Sequence, residues 1–376
     1  MTTPFIPGLE LARLFYVEAV RPLLDTHVPG LPHTAALVGP GSEVLGFDTP
    51  RSTDHDWGPR LQLFLSDDAA DAGAAARVGE LLAARLPVSF RGYPTVFARS
   101  GGRAGRRPAH HVLVAGLRRW HAGVLGFDPL APIALLDWLA VPTQVLAEFT
   151  GGAVFHDGLA EARAGTGLNE IRARLSWYPH DLWLHVMACQ WQRIGQEEPF
   201  PGRCAEVGDD LGSIVVTARL ARDLIRLALL IQRRYPPYSK WLGTALASTP
   251  ADRDLRPLLS AALSASTWQV REQNLSEAYE SVARLHNAIG VTARLDPVVR
   301  PTFYDRPYRI PDAGRFVRAL RDQIHDEGVR SLPLTGTVDQ FIDSTDALGD
   351  RDLRRAATKT QLPPGLSERS PPPAAA

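Results

Sequence analysis

Apolar positions recur along this chain with two different periods, and the change from one to the other divides it. Leu9, Leu11, Ala12, Phe15, Tyr16, Ala19 and Val20 fall at near-helical spacing, which predicts an amphipathic helix over 8–24 with Pro22 near its end. The short run Ala35-Ala36-Leu37-Val38 predicts a buried strand, ended by the turn residues Gly39-Pro40-Gly41-Ser42. A loop then leads to a second strand over 60–65, where Leu61, Leu63 and Leu65 alternate with Arg60, Gln62 and Phe64. An alanine-rich helix over 69–85 follows, then strand-like segments over 88–98 and 110–117 and a helix within 118–128. Beyond Pro129-Leu130-Ala131-Pro132 the two-residue period disappears. Apolar residues recur there every three or four positions over 133–139, 143–150, 159–175, 180–196, 209–234 and 258–289, and again over 312–324. In 180–196 the stripe is Leu184, Met187, Trp191 and Ile194, a core face. The longest helix has Asp209 and Asp210 at its positive end and Arg233 and Arg234 at its negative end. Pro236 and Pro237 forbid its continuation.

The pattern therefore predicts an α+β protein: a mixed sheet with flanking helices over 1–128, a helical bundle over 129–359, and a disordered tail over 360–376, where TQLPPGLSERSPPPAAA has no core-forming pattern. The 376 residues suffice for two real cores, and 45% apolar with 22% charged residues is ordinary for a globular chain. Lys+Arg and Asp+Glu both number 41, a zero formal balance that argues against a dedicated nucleic-acid binder. Two cysteines without metal-like spacing, no signal-peptide pattern and no long apolar run lead to the expectation of a cytoplasmic protein without a membrane partner.

The candidate chemistry lies between the first two strands. Asp54 and Asp56 are two apart at the entry to the second strand, so both carboxylates share one face. Such a pair can hold a divalent cation, and magnesium commonly takes one or two carboxylates plus substrate phosphates. Gly41 and Ser42 form a turn whose backbone N–H groups can approach a phosphate because glycine has no Cβ. Arg99, Arg103, Arg106 and Arg107 lie in a glycine-rich loop where they could meet phosphate oxygens, although charge runs of this kind are more commonly solvated.

Gly41-Ser42, a loop containing Gly46, then Ser52, Asp54 and Asp56 resemble the motif of the nucleotidyltransferase superfamily typified by DNA polymerase β and the aminoglycoside nucleotidyltransferases, with Thr53 as one extra residue. The segments GSEVLGFDTPRSTDHDWGPR, AVFHDG, YPPYSKWLG, LHNAIG and VDQFIDSTD are similar to a bacterial family known only as a domain of unknown function of that character. The resemblance implies magnesium, a nucleoside triphosphate donor such as ATP, and a small-molecule acceptor hydroxyl. It implies metal ligation by Asp54 and Asp56, and phosphate contact by Gly41, Ser42 and Lys240 with Tyr238 in support. It also implies a general base from the helical region, for which Glu197 is the candidate, with Glu198, Glu206 and Asp223 as alternatives. One departure stands out. A third carboxylate is expected from the strand over 110–117, and the position is Leu113; Asp67, Asp68 and Asp128 are the candidates to replace it. Two other readings follow, a catalytically degenerate nucleotide-binding regulator and an enzyme that modifies RNA or protein.

Overall fold

The computed structural model describes residues 4–54, 57–97 and 109–371. In chain order the elements are α1 (Gly8–Phe15), α2 (Arg21–His27), β1 (Thr34–Leu37), β2 (Arg60–Leu65), α3 (Asp67–Asp71), α4 (Ala74–Arg85), β3 (Ser89–Phe90), β4 (Tyr93–Pro94), β5 (Val96–Phe97), β6 (Ala109–Gly116), α5 (Leu117–Leu125), α6 (Leu135–Ala140), α7 (Thr143–Thr150) and β7 (Ala153–Asp157). There follow α8 (Gly158–Ala162), α9 (Leu168–Arg174), α10 (His180–Glu197), α11 (Phe200–Glu206), α12 (Asp210–Ile231), α13 (Leu242–Ala247), α14 (Asp252–Ser264), α15 (Trp268–Ala288), α16 (Gly314–Asp322), α17 (Glu327–Arg330), α18 (Val338–Phe341), α19 (Thr345–Gly349) and α20 (Arg351–Gln361). The α+β class is as expected, and among the described residues no helix is long and apolar enough to cross a membrane.

The chain forms two compact units. The first comprises 1–133 and 145–176, the second 134–144 and 177–376. The units thus do not divide at residue 128: the chain leaves the first unit, returns for α7, β7, α8 and α9, and leaves again. The reason is in the sheet, whose order is β5-β6-β2-β1-β7. β1 lies between β2 and β7, antiparallel to both, while β2 runs parallel to β6. β7 therefore completes a sheet begun more than a hundred residues earlier. Its sequence, AVFHD, is short and half-buried along its length, too weak a signal beside the helical pattern around it.

In β2 the expected alternation of inward and outward faces gives way to burial on both. Leu61, Gln62, Leu63, Phe64 and Leu65 are all buried because the strand is central. The core beneath it gathers Leu11, Phe15, Tyr16, Val20, Leu61, Leu63, Val78 and Leu82. The predicted N-terminal helix is present but widens into a π-turn over Tyr16–Val20 just ahead of Pro22. Proline has no N–H to donate, and a π-bulge relaxes the ladder there. The strand expected over 88–98 breaks into the short strands β3, β4 and β5, because Arg91 and Gly92 turn the chain at positive φ (52° and 85°). The arginine-rich loop at Arg99, Arg103, Arg106 and Arg107 lies outside the described residues.

In the second unit α10, α12, α15 and α16 surround a core in which Trp191 stacks on Phe316 (4.2 Å between ring centroids). Described residues from 360 to 371, in the segment expected to be a disordered tail, include a helix end and contacts to the second unit. α20 continues to Gln361, the Arg369 carbonyl accepts the Leu135 N–H (2.7 Å), and its guanidinium pairs with Asp326 (2.7 Å). Composition hid these contacts, which are made by a backbone group and one arginine rather than by an apolar face.

Candidate functional site

β1 delivers the chain into the turn at Gly39, which has φ 88° and donates its N–H to the Glu148 carbonyl on α7 (2.9 Å). Phe47 N–H donates to the Ser42 carbonyl (2.8 Å) and Gly46 N–H to the Glu43 carbonyl (3.1 Å), so the segment closes into a compact turn. The N–H groups of Gly41 and Ser42 and the Ser42 hydroxyl have no partner among the described residues. Two adjacent backbone donors and a hydroxyl at the end of a buried strand are the groups an anion can use.

Beneath this turn lies an ion pair that the sequence reading missed. Glu43 is 3% exposed and faces Arg60, the first residue of β2, at 3.4 Å. Arg60 also donates to the Pro40 carbonyl (2.8 Å), so one guanidinium ties the turn to the strand. Burial raises the Glu43 carboxyl above the usual carboxylate range, and Arg60 draws it back only in part. Gly41 is required here. It has φ 152°, and a Cβ on it would stand 2.7 Å from the Glu43 carboxylate. Gly8 is excluded from larger residues by the same glutamate, at 2.6 Å from its Cβ. The loop after the turn is fastened by Asp48, which accepts from Gly8 N–H (2.7 Å) and Trp57 Nε1 (3.1 Å).

Asp54 is the last residue of a 3-10 turn over Pro50–Asp54, just ahead of β2, and Asp56 lies outside the described residues. Among the described residues no group of three His, Cys, Asp or Glu could hold a metal ion. The register explains what Leu113 does: it sits opposite Gln62 on the parallel pair β2–β6. Gln62 is itself committed, exchanging hydrogen bonds with Val38 N–H (3.0 Å) and the Val38 carbonyl (2.9 Å). Asp67 and Asp68 follow the far end of β2, roughly 17–20 Å of strand from Arg60 at about 3.3 Å per residue. Asp67 accepts from Arg119 N–H (3.3 Å), and Asp128 pairs with Arg118.

A second buried carboxyl was also missed. Glu148, whose carbonyl anchors Gly39, is 8% exposed, and its side chain has no partner among the described residues. Burial alone pushes it up to about 7. Its signal in the sequence was a single acid within the apolar helix TQVLAEFT. Trp120 closes on the same turn, 3.6 Å from where a Gly39 Cβ would be, and stacks on Phe149.

The remaining expected site residues belong to the second unit. Glu197 pairs with Arg219 at 3.0 Å. Its neighbour Glu198 is buried, accepts the Ala313 N–H (3.1 Å), and is pushed up to about 7 mainly by burial. Asp223 is bound by Arg193 (3.2 Å), and Glu206 by Arg306 (2.7 Å). Lys240 is exposed on a 3-10 turn, its ammonium 4.8 Å over the Trp241 ring. The Tyr238 hydroxyl accepts from Trp241 Nε1 (2.6 Å), which fixes the ring under the lysine. His286 is a core residue between Trp191 and Thr292, held down to about 4 by burial.

A family model described as a domain of unknown function (DUF4037) matches residues 138–242. No curated protein and no solved structure matches the chain. The matched span contains Glu148, Glu197, Tyr238 and Lys240 and begins well after the turn at Gly41.

Proposed function

We propose that this protein is a magnesium-dependent nucleotidyltransferase, moving a nucleoside monophosphate from a triphosphate such as ATP to a hydroxyl of a small-molecule acceptor. The observation that carries the reading is the junction of β1 and β2. A glycine turn with two N–H groups unpartnered among the described residues leaves β1, and Asp54 precedes β2, which runs antiparallel to β1 and parallel to β6. In sequence Ser42, Asp54 and Asp56 supply oxygen ligands, and this suits a hard divalent cation. Magnesium, when bound, supplies positive charge to the phosphates. The chain's own part is to fix the triphosphate against Gly41 and Ser42 and to hold that turn rigid through Glu43 and Arg60. In the reaction the acceptor oxygen bonds to the α-phosphorus and pyrophosphate leaves, while the hydroxyl proton passes to a base. Glu197 is engaged by Arg219, and its candidacy as that base rests on the resemblance alone. Lys240 is an exposed ammonium on an aromatic support, and its candidacy as a phosphate contact rests on the resemblance as well.

Titration calorimetry with ATP, CTP, GTP and UTP, with and without magnesium, tests this. Magnesium-dependent binding that Asp54→Asn/Asp56→Asn abolishes is the expected result; no binding of any of the four overturns it. One observation favours a second reading. With Leu113, opposite Gln62, at the position where the resemblance expects an acid, a nucleotide-binding regulator without turnover is the alternative. Binding without pyrophosphate release across an acceptor screen selects it.

A further inference from the structure

The second unit carries a concentration of positive charge that nothing above uses. An open cavity of about 360 Å³ is lined by Arg318, Arg321, Asp322 and Arg330. α16 supplies the first three: Arg318 and Arg321 are three apart and so share a face, and Asp322 is one turn beyond Arg318. α17 supplies Arg330. Two of the guanidiniums are positioned by backbone rather than by counter-ions. Arg330 donates through Nε (2.9 Å) and Nη2 to the Ile324 carbonyl, and Arg321 Nη2 donates to the Arg330 carbonyl (3.1 Å). Carbonyls orient these side chains and leave their charge in place. The side chains of Arg318 and Asp322 have no hydrogen-bond or ion-pair partner among the described residues. Of the acids between and at the start of the helices, Asp326 is engaged by Arg369 (2.7 Å), and Glu327 does not line the cavity. Three guanidiniums thus face one carboxylate.

We infer that this cavity binds a small phosphate-bearing anion. Guanidinium is the side chain best matched to phosphate oxygens, through paired charge-assisted hydrogen bonds. A phosphoryl group presents three peripheral oxygens and up to two charges, so it can engage three arginines at once. A planar carboxylate has two oxygens and one charge. The volume falls within the range of small-molecule sites, roughly 300–1,000 Å³. Asp322 opposes the ligand and sets a limit on affinity.

The test is calorimetric titration of the full chain with pyrophosphate, without magnesium, alongside citrate. Arg318 is exposed and has no partner among the described residues, so Arg318→Ala preserves the melting temperature while weakening pyrophosphate binding by about tenfold or more. Arg318→Lys restores part of the loss, and Asp322→Asn tightens binding. The affinity of Asp54→Asn/Asp56→Asn equals that of the unaltered protein, which separates this site from the turn at Gly41. Absence of saturable pyrophosphate binding overturns the inference. So does an unchanged affinity in Arg318→Ala, citrate binding as tight as pyrophosphate, or loss of binding in the Asp54→Asn/Asp56→Asn protein.

Discussion

A single glycine and two buried glutamates set the properties of the turn between β1 and β2. Gly41→Ala places a methyl 2.7 Å from a carboxylate that is itself buried and cannot swing into water. The turn must open, at a cost of about 1–3 kcal/mol, and the Gly41 and Ser42 N–H groups lose their alignment. The expected outcome is a lower melting temperature together with loss of magnesium–nucleotide binding; full binding in a stably folded Gly41→Ala protein contradicts the role given to the turn. Glu148 makes a prediction about pH. Its folded value of about 7 lies above the ordinary 4.5, so folded and unfolded chains are both protonated in acid and no penalty arises there. As pH rises from about 4.5 to 7 the unfolded chain releases the proton while the folded chain retains it, so stability falls, by up to about 3 kcal/mol, and then levels off. Glu148→Gln removes that slope. Urea unfolding at pH 5 and pH 8 checks it: the variant gains about 1–3 kcal/mol over the unaltered protein at the higher pH and little at the lower. Glu198, also raised to about 7, keeps a residual slope of the same sign in both proteins.

At the scale of elements, the segment around α18 has a consequence out of proportion to its four residues. Asp339 accepts from Arg226 Nη2 (2.6 Å), Thr143 Oγ1 (2.6 Å), Thr143 N–H (3.2 Å) and Thr337 Oγ1 (2.9 Å). Three separate pieces of the second unit meet on one carboxylate. Burial pushes this carboxyl up, but Arg226 and the two threonines outweigh it and hold it below the usual range. The depressed value means that Asp339 stabilises the fold above the ordinary aspartate pKa of about 3.9, and that this stability is lost as pH falls through its folded value. Asp339→Ala strands the Arg226 guanidinium in the interior and costs about 3–5 kcal/mol, measured by urea unfolding at neutral pH; a loss below about 1 kcal/mol would show the pair to be dispensable. The same contrast explains what could be read in advance. β2, α7 and α10 were legible because each writes its period into its own residues, and Gly41-Ser42 because a turn's chemistry is local. β7 was not, since a half-buried edge strand of five residues has little pattern. Glu43, Glu148 and Asp339 were not, because an acid in sequence carries no sign of what will cover it or pair with it. The acid missing at Leu113 was legible by position, while the commitment of Gln62 opposite it needed the register.

Across the whole molecule the chain visits its two units alternately, and this decides which fragments can fold. A cut at 128 follows the change in sequence period, yet it removes α7 and β7 from the unit they complete. It deletes the partners of Gly39 N–H (Glu148 carbonyl, 2.9 Å), of the Val44 carbonyl (Gly152 N–H, 2.8 Å) and of the His33 carbonyl (Gly158 N–H, 2.9 Å). It also leaves β1 as a bare edge, buried in the native sheet and open to association once exposed. Fragment 1–128 is therefore expected to lack a cooperative melt and to aggregate, whereas fragment 1–176, which keeps every segment of the first unit, folds. Circular dichroism melts of the two fragments decide the matter. A cooperative transition for 1–128 as steep as that of 1–176 would mean that the returning segment decorates the sheet rather than completes it, and the turn at Gly41 would then owe nothing to α7.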